Sequence, residues 1–207
     1  MIKIGLSGTR YSGKDRIAKI FKQIQIPVFE ADVVLKFILQ HNYQLQSVIS
    51  DAIGQKYFNN GCLILEKVKT DGVFGQVLDI VQFEIFKTWE KFLEKNRGSV
   101  YCIFHSSVLF ETGWYEKMDK NISVYAPLLE RVERCKLLTK KTTSSIHKQL
   151  SQETDDLEKN ELSDFVIHNY EVDGYYGDTF RQVNFIDQQI IDEFIKDDKQ
   201  TKNMITF

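Results

Sequence analysis

An α/β fold, a parallel sheet covered by helices, is the architecture the sequence predicts. Three observations carry that expectation. Short β-branched runs alternate along the 207-residue chain with longer stretches of helical period, the pattern of strands joined by helical crossovers. Hydrophobic residues at 43% and charged ones at 27% are the ordinary mixture of a globular domain. About seventy residues separate the second expected strand from the third, far more than one crossover needs, so a subdomain is inserted there.

Taken in order, the expected strands are Ile2 to Leu6, Ile26 to Phe29, Val100 to Phe104, Ile122 to Tyr125 and Phe165 to Ile167. A helix from Arg16 to Gln23 follows the first, with Ile17, Ile20, Phe21 and Ile24 on one face. Within the insertion, Val77, Val81, Ile85, Trp89 and Leu93 recur every fourth residue, flanked by Leu78, Phe86 and Phe92. That spacing predicts one long amphipathic helix with a core-packing stripe. Pro27 and Pro127 each stand beside an expected strand, where a missing N–H does least harm. The polar tail from Lys196 to Phe207 is expected to fray.

Composition also excludes function classes. Lys+Arg 27 against Asp+Glu 29 gives a net charge of -2, so no basic field points to nucleic acid or an anionic membrane, and any anion is held locally. The longest apolar runs are strand-sized and MIKIGLSG enters a glycine loop rather than a cleavage site, so a cytoplasmic location is expected. Cys62, Cys102 and Cys135 are widely separated and lack metal-ligand spacing, so they read as buried or free thiols.

Chemistry is concentrated after the first strand. In GTRYSGKD, Gly8, Gly13 and Lys14 occupy the fixed positions of a G-x-x-x-x-G-K phosphate loop, between a strand and a helix as that motif requires. Such a loop turns successive N–H groups inward, the helix adds its positive N-terminal end, and the lysine supplies a full charge. The segment Gly8, Thr9, Arg10, Tyr11, Ser12, Gly13, Lys14, Asp15 and Arg16 is therefore the expected nucleotide-phosphate contact. Asp15 stands where a Ser or Thr hydroxyl usually ligates magnesium; a carboxylate there is either a metal ligand or a helix cap. Some phage deoxynucleotide kinases resemble the chain in carrying Gly-Lys-Asp at this point. After the second strand, Glu30-Ala31-Asp32 places carboxylates at a strand's C-terminal end, where doubly wound sheets assemble ligand sites. Asp32 is read as a proton acceptor for an attacking hydroxyl, as a metal ligand or as a helix cap.

From IGLSGTRYSGKD and IPVFEAD through VLFETG at Val108 to Gly113, Ala126-Pro127 with Arg134, and SDFVIHN at Ser163 to Asn169, the chain resembles the dephospho-coenzyme A kinases. The resemblance implies a P-loop NTPase-type three-layer fold with about five parallel strands. It further implies ATP and Mg2+ as cofactors and transfer of the γ-phosphate to the 3′-hydroxyl of dephospho-coenzyme A. By the same resemblance the core covers about 1–40, 97–128 and 160–195, a helical acceptor-binding insertion about 41–96, and a mobile lid about 129–159. Lys14 is implied as the phosphate lysine, Asp32 as general base and acceptor ligand, Arg134 as the arginine closing over the phosphates, Asn169 as a nucleotide-site residue and Glu111 as an acceptor-binding residue, with capping beside Thr112 as the other reading of Glu111. A monomer or weak homo-oligomer is expected.

Departures from the family pattern fall at four places. His105-Ser106-Ser107 replaces an Asp-x-Pro, Phe83-Glu84 a His-Pro, Leu65 an arginine, and a second lid arginine would fall near Leu138. They leave open a nucleoside monophosphate kinase or a nucleotide-binding regulatory protein without turnover. From Glu130 to Lys148 the chain is basic and polar, with Arg131, Arg134, Lys136, Lys140, Lys141 and Lys148 among Thr142, Thr143, Ser144 and Ser145. This reads either as a cationic flap or as a solvated helix pair. His105, at the end of the third strand, is read as an inward-facing polar residue of the site or a hydrogen-bonded core histidine.

Overall fold

Strand β1 (Ile2–Ser7) is buried over its last four residues because it has a neighbour on each side and helices over its faces. The computed structural model describes residues 1–139, 143–150, 156–172, 175–176 and 178–204. Glycine-rich chain leads from β1 into helix α1 (Lys14–Gln23), whose Ile17, Ala18, Ile20 and Phe21 form its buried face. Strand β2 (Val28–Glu30) follows.

Contacts divide the chain into two compact units, residues 1–28 with 96–207, and Phe29–Lys95. The second unit holds helices α2 (Ala31–His41) and α3 (Tyr43–Ile53), strands β3 (Phe58–Asn59) and β4 (Cys62–Leu63), and helices α4 (Leu65–Thr70) and α5 (Phe74–Lys95). As the four-residue spacing predicts, α5 buries Val77, Val81, Ile85, Trp89 and Leu93. Trp89 stacks on Phe92 at 5.7 Å and meets Phe29 at 5.3 Å. Asn60 and Gly61, at φ 49° and 77°, make a two-residue turn that pairs Phe58 with Leu63.

The first unit resumes with β5 (Tyr101–His105) and β6 (Lys120–Tyr125), then α6 (Leu128–Leu138), α7 (Thr143–Leu150), α8 (Asp156–Glu161) and β7 (Phe165–His168). A short pair, β8 (Glu171–Val172) and β9 (Tyr175–Tyr176), precedes the long helix α9 (Thr179–Met204). The sheet order is β2-β5-β1-β6-β7, with β5, β6 and β7 entering parallel pairs around β1. Each expected strand is present with ends shifted by at most two residues.

Side chains alternate as the pleat requires. Tyr101 and Ile103 join Ile4, Leu6, Ile122 and Val124 in a cluster covered by α1 and by Val183, Ile186 and Ile190 of α9. Phe104 points the other way and meets Trp114 edge-on at 6.0 Å. Cys62, Cys102 and Cys135 are free thiols. The crossover from β1 runs to β2 on one side of the sheet and the crossover from its neighbour β5 runs to β6 on the other, so a crevice opens at the C-terminal ends of β1 and β5. Leu6 is in register with His105, which sets the ends of β1 and β5 side by side at that crevice.

Candidate active site around the phosphate loop

Close backbone approach explains both loop glycines. A Cβ on Gly8 would press on the Val124 carbonyl and lie 2.6 Å from Ser12 Oγ; one on Gly13, at φ +91°, would run into Asn169 Nδ2. Ser12 N–H donates to Thr9 O at 3.1 Å, and Gly13 O accepts from Arg16 and Ile17 N–H to start α1. Tyr11 also has positive φ, 63°, a conformation that costs a non-glycine residue about 1–3 kcal/mol. Its ring packs against Val132, Cys135, Ile146 and Leu150, which offsets that cost and ties the loop to α6 and α7.

Lys14 is the first residue of α1 and is buried, with no hydrogen bond or ion pair among the described residues. Its N-cap, Gly13, offers no side-chain cap, so the N-terminal end of the helix is left to the cleft with the lysine. The cleft measures about 630 Å³ and is lined by Arg10, Tyr11, Gly13, Lys14, Asp15, Arg134, Leu137 and Leu138. A buried ammonium at a helix N-terminus, in a pocket of that size, is a site for a multiply charged anion.

The loop is braced by side chains from far along the sequence. Arg134 donates to the carbonyls of Tyr11 at 3.0 Å, Ser12 at 3.1 Å and Asn169 at 2.6 Å. Asn169 Nδ2 donates to Ser12 O at 2.6 Å, while Asn169 N–H holds Tyr125 O at 2.8 Å. Asp156 accepts from Thr9 Oγ1 at 2.8 Å and from Arg131 Nη2 at 2.7 Å, and Arg131 Nε reaches Ala126 O at 3.1 Å. Glu111 pairs at 2.6 Å with Lys159, whose side chain is 1% exposed. Asp164 accepts from Asn121 N–H at 2.7 Å and so pins β7 to β6. Asp156 and Lys159 escape a reading of the sequence, where each is one more charge in a charged stretch.

Asp15 lies one residue past Lys14 with its side chain 77% exposed, and its Oδ1 is 3.3 Å from Nε2 of the buried His105. The pair sits at ion-pair range without hydrogen-bond geometry, since Nε2 has no hydrogen-bond partner among the described residues. Contact with His105 holds the Asp15 carboxyl below its ordinary range; partial burial opposes this, and Lys14 and Lys19 assist it. The capping alternative for Asp15 is not realised, because the N-cap of α1 is Gly13. An ionised carboxylate on the residue after Lys14, 3.3 Å from a buried ring nitrogen, is a pair of donors that fits a divalent cation.

Asp32 belongs to the second unit, half-buried in the first turn of α2, whose N-cap is Glu30. The basic stretch after Glu130 divides by position. Arg131 is buried in its pair with Asp156, Arg134 is bound to the loop, and Lys136 meets Glu133 in solvent at 2.7 Å. Lys140, Lys141 and Thr142, and the side chains of Ser144 and Lys148, lie outside the described residues.

A doubly wound parallel sheet whose first strand feeds a glycine loop, a buried lysine and a helix N-terminus defines a P-loop nucleotide kinase-type fold and site. The sequence pattern of the dephospho-CoA kinases matches residues 2–173, and the chain belongs to that family of phosphotransferases with an alcohol group as acceptor. The Zymomonas mobilis dephospho-CoA kinase is 29% identical over 82% of this chain and 88% of its own, and the Aquifex aeolicus one 25% identical over 92% and 98%. Among solved structures, a Thermus thermophilus protein superimposes with TM-score 0.73 at 19% identity, covering 93% of this chain and 97% of its own. The dephospho-CoA kinase from Campylobacter jejuni does so with TM-score 0.60 at 19% identity, covering 91% and 96%. No helix among the described residues is long and apolar enough to cross a membrane.

Proposed function

We propose that the protein phosphorylates the 3′-hydroxyl of dephospho-CoA from ATP, giving CoA and ADP. The observation that carries the reading is Lys14, buried at the N-terminus of α1 with no ion pair among the described residues and lining the 630 Å³ cleft. Triphosphate oxygens would neutralise it, with N–H groups of the loop sharing the β- and γ-phosphates. In the transfer, the acceptor oxygen forms a bond to the γ-phosphorus as the bond to the bridging oxygen of ADP breaks. The acceptor proton passes to a carboxylate, the role assigned to Asp32. A divalent cation, Mg2+ in the first instance, accompanies the nucleotide, and the Asp15 carboxylate, which lines the cleft beside Lys14, would hold it.

Arg134 and Asn169 serve this site by fixing the loop, since their groups are occupied by the carbonyls of Tyr11 and Ser12. Glu111 likewise supports α8 through Lys159. The protein acts as a monomer or weak homo-oligomer on these small substrates. A second reading, a kinase for another small acceptor such as a nucleoside monophosphate, is favoured by Phe83, 71% exposed on α5 where the family pattern has histidine. Coupled ADP release with dephospho-CoA and with a panel of nucleoside monophosphates decides between them. Release dependent on dephospho-CoA alone supports the first; no acceptor-dependent release with any of them overturns both.

A further inference from the structure

We infer that Asp15 and His105 form a carboxylate–imidazole clamp for the nucleotide's divalent cation, and that the clamp selects a first-row transition ion such as Mn2+ over Mg2+. The inference deepens the kinase reading and rests on it, because phosphate oxygens and water complete the ion's shell. His105 is 6% exposed, and its Nε2 lacks a hydrogen-bond partner among the described residues, which is rare for a buried ring nitrogen. That nitrogen lies 3.3 Å from Asp15 Oδ1, on a carboxylate that lines the phosphate cleft beside Lys14. Metal–donor bonds of about 2.0–2.2 Å at octahedral or tetrahedral angles set adjacent donors about 2.8–3.6 Å apart. The separation of the pair falls inside that range.

Its chemistry decides which ion. Mg2+ is hard, holds oxygen ligands and gives up water reluctantly, whereas imidazole suits first-row transition ions, and Mn2+ accepts both donor types. Phosphate loops usually have a hydroxyl where Asp15 follows the lysine. In this chain the carboxylate stands beside the lysine and the strand end offers nitrogen. The site thus offers one negatively charged oxygen donor and one nitrogen donor.

The test is pulsed electron paramagnetic resonance of Mn2+ on the full chain with saturating ADP, the protein's histidines labelled with 15N. Wild type should show 15N coupling to the bound ion, and His105→Gln should lose it. Mn2+ affinity should fall about tenfold or more in His105→Gln and in Asp15→Ser. Mg2+ should displace Mn2+ from the wild-type ADP complex less readily than from free ADP. Bound Mn2+ without 15N coupling overturns the inference while the kinase reading stands. The labelled wild type gives that result even if His105→Gln does not fold. Failure of ADP to bind at all overturns both.

Discussion

Replacing Arg134 by alanine removes a guanidinium that donates to three main-chain oxygens, two of them in the phosphate loop. Hydrogen bonds from charged donors contribute roughly 1.5–3 kcal/mol each to stability, but the cleft is open on one side, so water recovers part of that for the exposed carbonyls. A net loss of about 2–4 kcal/mol follows for the nucleotide-free protein. For a chain of this length each kcal/mol moves Tm by about 2–4 °C, so Arg134→Ala should melt roughly 5–15 °C below wild type. ATP affinity should fall as well, because binding must then reorder Tyr11 and Ser12. Thermal melts without nucleotide and calorimetric titration with ATP measure the two effects. An arginine that met only phosphate would leave the empty protein untouched. A variant that melts with wild type and binds ATP equally, yet turns over slowly, would refute the bracing role.

Three further outcomes are expected. Asp32→Asn should leave nucleotide binding and Tm nearly unchanged while ADP release with dephospho-CoA falls roughly a hundredfold, the usual scale of a positioned base; comparable rates would remove Asp32 from the chemistry. Glu111→Ala leaves the Lys159 ammonium buried without its partner and should cost about 3–5 kcal/mol in urea denaturation, whereas loss of acceptor affinity at unchanged stability would return Glu111 to the acceptor site. The Asp15 carboxyl is held below its ordinary value of 3.8 by His105, so its contribution is complete above that pH and is lost as pH falls through the lower folded value. Wild type should therefore exceed Asp15→Asn in stability at neutral pH and converge with it in acid; parallel stability curves would exclude the coupling.

Local physics made much of the fold legible. The strand from Tyr101 to His105 is apolar on both faces because helices cover both, and such a run is visible without any partner. The stripe on α5 is equally local, since its period comes from the helix itself. The turn at Asn60-Gly61 carried a plain hairpin signal that a search for longer strands passes over. At the site, the glycine and lysine positions of the loop were readable because backbone conformation and a following helix constrain residue type over seven consecutive positions.

By itself, then, the sequence determined the sheet, the long helix, the phosphate loop and the family pattern, each of which depends on neighbours in the chain. Tertiary structure alone decided what the charges do. Arg131, Arg134 and Lys136 lie within six residues and look alike in sequence, yet one is buried against Asp156, one clamps the loop 122 and 123 residues away, and one stays in solvent. His105 meets Asp15, and Glu111 meets Lys159, by the same long-range folding. A charged side chain has no intrinsic preference among these fates, because its free energy is set by the partners and the water that the folded chain leaves around it.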